Sequence, residues 1–171
     1  MTAEPIYSEA AIGYRSWNVA ADRALRSTGL GSTRWRSGTN VAYCGAGGEH
    51  DAPHAPCGCG LYARHDLPGG IEARAPWVAG AVALRGRVLV HHDGMRGEEA
   101  VILALALPLD PHPADLRRVG AVADRYGVPL VAYDELRAEA ERYGLPVPLA
   151  DRPAPPPPVR RRGLLRALLK R

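Results

Sequence analysis

Apolar and polar positions alternate along residues 12–19 (IGYRSWNV), which predicts a strand anchored by Tyr14 and Trp17. Residues 23–27 read as a short returning partner, followed by a Gly/Ser/Thr loop and then the loop Ser37-Gly38-Thr39-Asn40. A short strand is expected at 60–63. A long β segment at 77–91 carries an interruption at Gly86 that suggests a bend or bulge. The turn signal His92-Asp93-Gly94-Met95 joins it to 98–107, where Val101, Leu103, Leu105 and Leu107 alternate, so the two segments should form a hairpin. Residues 113–126 predict a helix with an early Pro113, Asp115 in its first turn, and Leu116, Val119, Ala123 and Tyr126 on one face. Gly127 closes it. A strand at 128–133 and a second helix follow, the latter N-capped by Asp134, with Leu136, Ala140 and Tyr143 inward and Gly144 at its end.

The pattern fails in one place. Residues 45–59 are rich in Gly, Pro and His, have no period, and would make a costly loop unless something pins them. This stretch holds Cys44-x9-His54-x2-Cys57-x-Cys59, with His50 as a spare donor. Three thiolates and an imidazole suit zinc and complete a tetrahedron, so a four-ligand site would be structural. A catalytic version would use Cys57, Cys59 and one histidine, with Glu49 as general base to a bound water. The zinc deaminase pattern is not met, because Pro56-Cys57-Gly58-Cys59 is one residue short and no H-x-E precedes it. A mixed Cys/His iron–sulfur cluster is the competing inorganic assignment.

The string Gly13-Tyr14-Arg15-x-Trp17-x-Val19, then Trp35-x2-Gly38, Cys44, His54-Ala55-Pro56, and Cys57-x-Cys59-Gly60-Leu61-Tyr62-Ala63 continues into Gly80-x-Val82-Ala83-Leu84-x-Gly86-x-Val88-x2-His91-x2-Gly94-x-Arg96. It resembles an uncharacterised family common in actinobacteria and their phages, over about residues 12–143. The resemblance implies Cys44, His54, Cys57 and Cys59 as ligands, favouring His54 over His50. The chain departs from that pattern at Arg85 and around Gly97-Glu98. Because the family has no settled activity, the resemblance implies a fold and a site without a reaction.

Other polar and aromatic groups read as structural. His91-His92-Asp93 is the polar end of a hairpin, Arg87 and Arg96 are solvated, and Trp17, Trp35 and Trp77 are core anchors rather than a stacking platform.

Charge changes the picture at the C-terminus. Residues 152–171 carry seven basic groups and no acidic one, which leaves residues 1–151 with 15 basic and 18 acidic, a net of −3. A folded face that coats nucleic acid usually shows a basic surplus, and here the surplus belongs to the tail. Leu164, Leu165, Leu168 and Leu169 would share one helical face, with Arg162, Arg166 and Lys170 opposite, and Arg160, Arg161 and Arg171 extend the charge. Such a segment suits an anionic surface or a partner's groove. No apolar run approaches the ~20 residues of a membrane helix, no secretory signal is recognisable, and three cysteines do not make a disulfide framework. A cytoplasmic protein is expected.

The resulting expectation is α+β: a small bent antiparallel sheet or partial barrel, a zinc-pinned loop, and a C-terminal helix–strand–helix unit. Its organisation would be a flexible N-terminus (1–11), a zinc-stabilised domain (12–145), a Pro-rich linker (146–159) and a basic amphipathic tail (160–171). The functional expectation is a non-enzymatic binding or adaptor module, recruited to a protein partner or anionic surface through that tail. A zinc hydrolase or nuclease and a nucleic-acid-associated regulator are the alternatives.

Overall fold

A computed structural model describes residues 10–28 and 33–155. The fold is mixed α/β: one seven-stranded, mostly antiparallel sheet with two helices. Strand β1 (Ala11–Val19) pairs along one edge with β5 (Trp77–Val90), which forms the expected hairpin with β6 (Gly94–Ala106). On its other edge β1 meets β2 (Leu25–Ser27) and, through the single pair Tyr14↔Arg64, β4 (Leu61–Arg64). Since β4 also pairs with β6, hydrogen bonding runs β1–β5–β6–β4 and back to β1. The last link is one residue pair, so the sheet bends into a ring without becoming a barrel. The bend uses a register shift between Arg85 and Val88, around the predicted Gly86 interruption.

Period-2 alternation explains how both faces are buried. Val78, Val82 and Leu84 of β5 point into a core with Trp17, Trp35 and Ile102, covered by α1 (Pro113–Tyr126) through Val119, Val122 and Ala123. Ala79, Ala81 and Ala83 point the other way, joined by Ala104 and Ala106, and their small side chains let α2 (Leu136–Glu141) seat Leu136 and Ala140. Trp17 and Trp35 meet edge to face at 5.4 Å and are fully enclosed, whereas Trp77 is half-buried.

Several local expectations change. Leu116 and Tyr143 are exposed at 38% and 48%, because α1 turns Leu116 off the sheet and α2 ends at Glu141. Asp134 lies inside a 3-10 turn (Tyr133–Glu135) rather than at an N-cap, and Glu135 Oε2 accepts from the Ala132 N–H instead. The strand expected at 128–133 shrinks to β7 (Leu130–Val131), parallel to β6. An unforeseen strand, β3 (Thr39–Val41), pairs with β6. The N-terminal and linker boundaries also move: Ala11 is already buried in β1, Pro146 bridges to Ile12, and Val147 is buried. A 3-10 turn follows at Leu149–Asp151. The tail residues 160–171 lie outside the described residues.

Candidate metal centre

Strands β3 and β4 lie end to end along the same edge of β6. Val41 is opposite Glu99 and Leu61 is opposite Gly97, so the chain leaves the sheet and re-enters it two residues away along β6. Residues 42–60 are thus a closed excursion, fastened at its start by the Ala42 N–H to the Glu98 carbonyl at 2.7 Å. Cys44 stands at the exit, and Cys57 and Cys59 at the return.

Within this excursion Cys44, His50, Cys57 and Cys59 bring one ligand atom each to within 4.8 Å of one another, a group that could hold a metal ion. The Cys44 and Cys57 sulfurs are 3.8 Å apart, and Cys59 Sγ is 3.5 Å from His50 Nε2. All four are half-buried. The imidazole in the group belongs to His50, the spare donor of the sequence reading. His54, which the resemblance favours, stacks on the His50 ring at 4.4 Å and accepts the Cys57 N–H through its own carbonyl at 3.0 Å. The His54 carbonyl is taken up in a turn immediately before the Cys-Gly-Cys step, and its ring lies against His50 outside the four-donor group. Gly48 keeps the approach open, since a Cβ there would lie 2.3 Å from His50 Cε1 and 3.4 Å from Cys44 Sγ.

Backbone N–H groups of Gly48 and Ala46 donate to the Cys44 sulfur and hold its thiol below the ordinary range. At Cys57 the Cys59 N–H pulls downward, but the neighbouring Cys59 and Cys44 sulfurs and burial outweigh it and raise the thiol. Glu49 is exposed, and no carboxylate of the described residues joins the four-donor group.

The residue most at odds with the sequence reading is Arg96. Instead of being solvated, it is 8% exposed, on β6 beneath the excursion. Its guanidinium donates to the carbonyls of Cys57, of Cys59 at 3.0 Å and of His54 at 3.4 Å, and its Nε donates to His91 Nε2 at 2.8 Å. Burial, then the Arg96 cation, holds the His91 pKa below its ordinary value, so the ring stays a neutral acceptor. The His91 carbonyl in turn accepts from His65 Nε2 at 2.9 Å. The pattern of a strand end followed by a hairpin turn placed His91 at its true position but carried no hint of these partners. Arg87 reaches the same loop, donating to the Asp51 carbonyl at 3.0 Å from an exposed position.

Beside the centre, an open cavity of about 660 Å³ is lined by Val41, Tyr43 and Leu61 together with Cys44, Cys57 and Cys59. Val41 and Tyr43 are 62% and 68% exposed. Comparison with protein-family models, curated proteins and solved structures finds no match for the chain.

Proposed function

We propose that this protein is a non-enzymatic, zinc-stabilised binding module. The observation that carries the reading is the donor set: three sulfurs and one imidazole nitrogen converge at the mouth of an excursion whose two ends already meet on β6. Thiolate and imidazole donors select zinc among common divalent ions, and four of them complete its tetrahedron, leaving no position for a reacting water. The metal's work is then to order a surface. Val41 and Tyr43, exposed beside it, would give that surface apolar contact points. The leucine- and arginine-rich segment 160–171 supports recruitment to a protein partner or anionic surface, with the Pro-rich stretch before it acting as a spacer.

Metal analysis of the purified full-length chain, followed by cobalt substitution, tests this. One zinc per chain is expected, lost in Cys44→Ser, with a tetrahedral cobalt spectrum that azide leaves unchanged. An azide-sensitive spectrum would show an open coordination position and favour the hydrolase reading with Glu49 as base. An iron-containing, visibly coloured preparation would replace zinc with an iron–sulfur centre.

A further inference from the structure

We propose that Arg96 is the built-in counter-charge of the metal centre, holding its three-thiolate form from behind the ligand loop. The inference rests on the metal-centre reading above. A divalent ion bound by three thiolates and a neutral imidazole leaves a net negative charge of about one unit on the site. A charge of that kind, half-buried, needs a nearby cation or several donors.

Arg96 has the converse problem. It is almost fully buried and carries a permanent charge, yet none of the ion pairs among the described residues involves it. Its acceptors are the His91 ring nitrogen and three carbonyls, two of them belonging to Cys57 and Cys59, which also supply sulfurs. Carbonyl dipoles solvate a guanidinium without neutralising it. Backbone N–H groups of Ala46, Gly48 and Cys59 disperse the thiolate charge without neutralising it; the cation bonded to the backbone of two sulfur-bearing residues is its formal counterpart.

Position and orientation are both fixed. Arg96 pairs with Tyr62 in β4, three residues after Cys59, so the ladder sets its depth beneath the Cys-Gly-Cys step. His91 receives the Nε–H and turns the rest of the fork towards the loop. Pro53 and Arg96 pack so closely about Gly60 that a Cβ there would lie 2.9 Å from the Pro53 Cβ and 3.0 Å from the Arg96 Cβ, so the lack of a side chain at Gly60 lets the loop seat directly on Arg96. Arg96 is a positioning residue, acting on the metal through the ligand backbone and through its field.

The test compares full-length wild type, Arg96→Gln and Arg96→Lys by zinc competition against a chromophoric chelator, and by the sulfur-to-cobalt charge-transfer band of cobalt-loaded protein. Glutamine can donate to the carbonyls but is neutral; lysine keeps the charge and loses the fork. Arg96→Gln should weaken zinc binding at least about tenfold and move the band to longer wavelength, because thiolates that lose a neighbouring cation give up electrons more easily. Arg96→Lys should stay within about threefold of wild type with the band unmoved. Arg96→Gln behaving like wild type, or Arg96→Lys losing as much as Arg96→Gln, would overturn the proposal. If Arg96→Gln does not fold, Arg96→Lys decides alone: a tenfold loss refutes the counter-charge role. A wild-type chain that takes up neither zinc nor cobalt fails at the earlier step and overturns the metal reading itself, whereas normal wild-type uptake with insensitive variants overturns only the role of Arg96.

Discussion

Stripping the metal should melt the excursion and leave the sheet standing. Of the sixteen residues 44–59, only Ala52 and Pro53 are buried, and the loop's one internal backbone bond joins Cys57 to His54. Ordering sixteen backbone units costs about 16 kcal/mol at roughly 1 kcal/mol each. Burying Ala52 and Pro53 returns about 2 kcal/mol, the four bonds from Arg87 and Arg96 to loop carbonyls about 1 kcal/mol each, and a structural zinc about 10–16 kcal/mol. The two sides balance only with the ion present; without it the loop is short by roughly 10 kcal/mol. The sheet has its own support, because Val82, Leu84, Ile102, Leu105 and both enclosed tryptophans pack without any contribution from the loop. Hydrogen exchange followed by mass spectrometry, with and without chelator, reads both halves at once. Amides in 44–59 should approach unprotected rates on chelation, while those in β5 and β6 change less than about tenfold. Retained protection in the loop would show that something other than a metal orders it. Collapse of protection across β5 and β6 would show that the sheet depends on the ion, and the separation of the two cores from the loop argued above would be wrong.

Three further outcomes follow from the packing. Tyr126→Phe removes a buried hydroxyl that accepts from the Leu25 N–H and donates to the Trp35 carbonyl, both at 2.9 Å, leaving two enclosed backbone groups unpaired; about 2–3 kcal/mol should be lost in urea unfolding, and a change below about 0.5 kcal/mol would mean that water replaces the hydroxyl. Gly48→Ala should push the His50 ring out of the donor group and weaken zinc binding by at least about tenfold without lowering the melting temperature of chelated protein. Burial depresses the pKa of His65, with the Arg152 cation adding to the effect, while the His91 carbonyl, Asp66 and Asp93 oppose it. A depressed histidine contributes stability that is present above the unfolded value near 6.5 and lost as pH falls through the folded value. Chelated protein should therefore weaken as pH drops from 7.5 to 5 with a slope that His65→Gln reduces, and equal slopes would exclude His65 as the source.

Whatever is encoded by neighbours a few residues apart could be read from the chain. Helix α1 runs over the predicted 113–126 because Pro113, Asp115 and a left-handed Gly127 mark its ends within one turn of each. The β5–β6 hairpin was legible for the same reason, since its alternation and the Asp-Gly turn are local. Strand β3 was not: three residues have no period of their own, and Thr39–Val41 is a strand only because β6 offers an unpaired edge there. The metal centre divides along this line. That residues 44–59 carry sulfur and imidazole donors able to hold a metal ion was visible in their composition, whereas which imidazole joins the three sulfurs depends on how the excursion folds back on itself between its two attachments to β6, which no run of residues displays. Arg96 shows the limit most clearly. An arginine just after a turn looks solvated in any window of sequence, and its burial follows from β4 returning the ligand loop directly above it. Composition identified the donors that could hold a metal ion; the strand ladder determined which side chains come together around them, and that ladder is set by long-range pairing which no local pattern encodes.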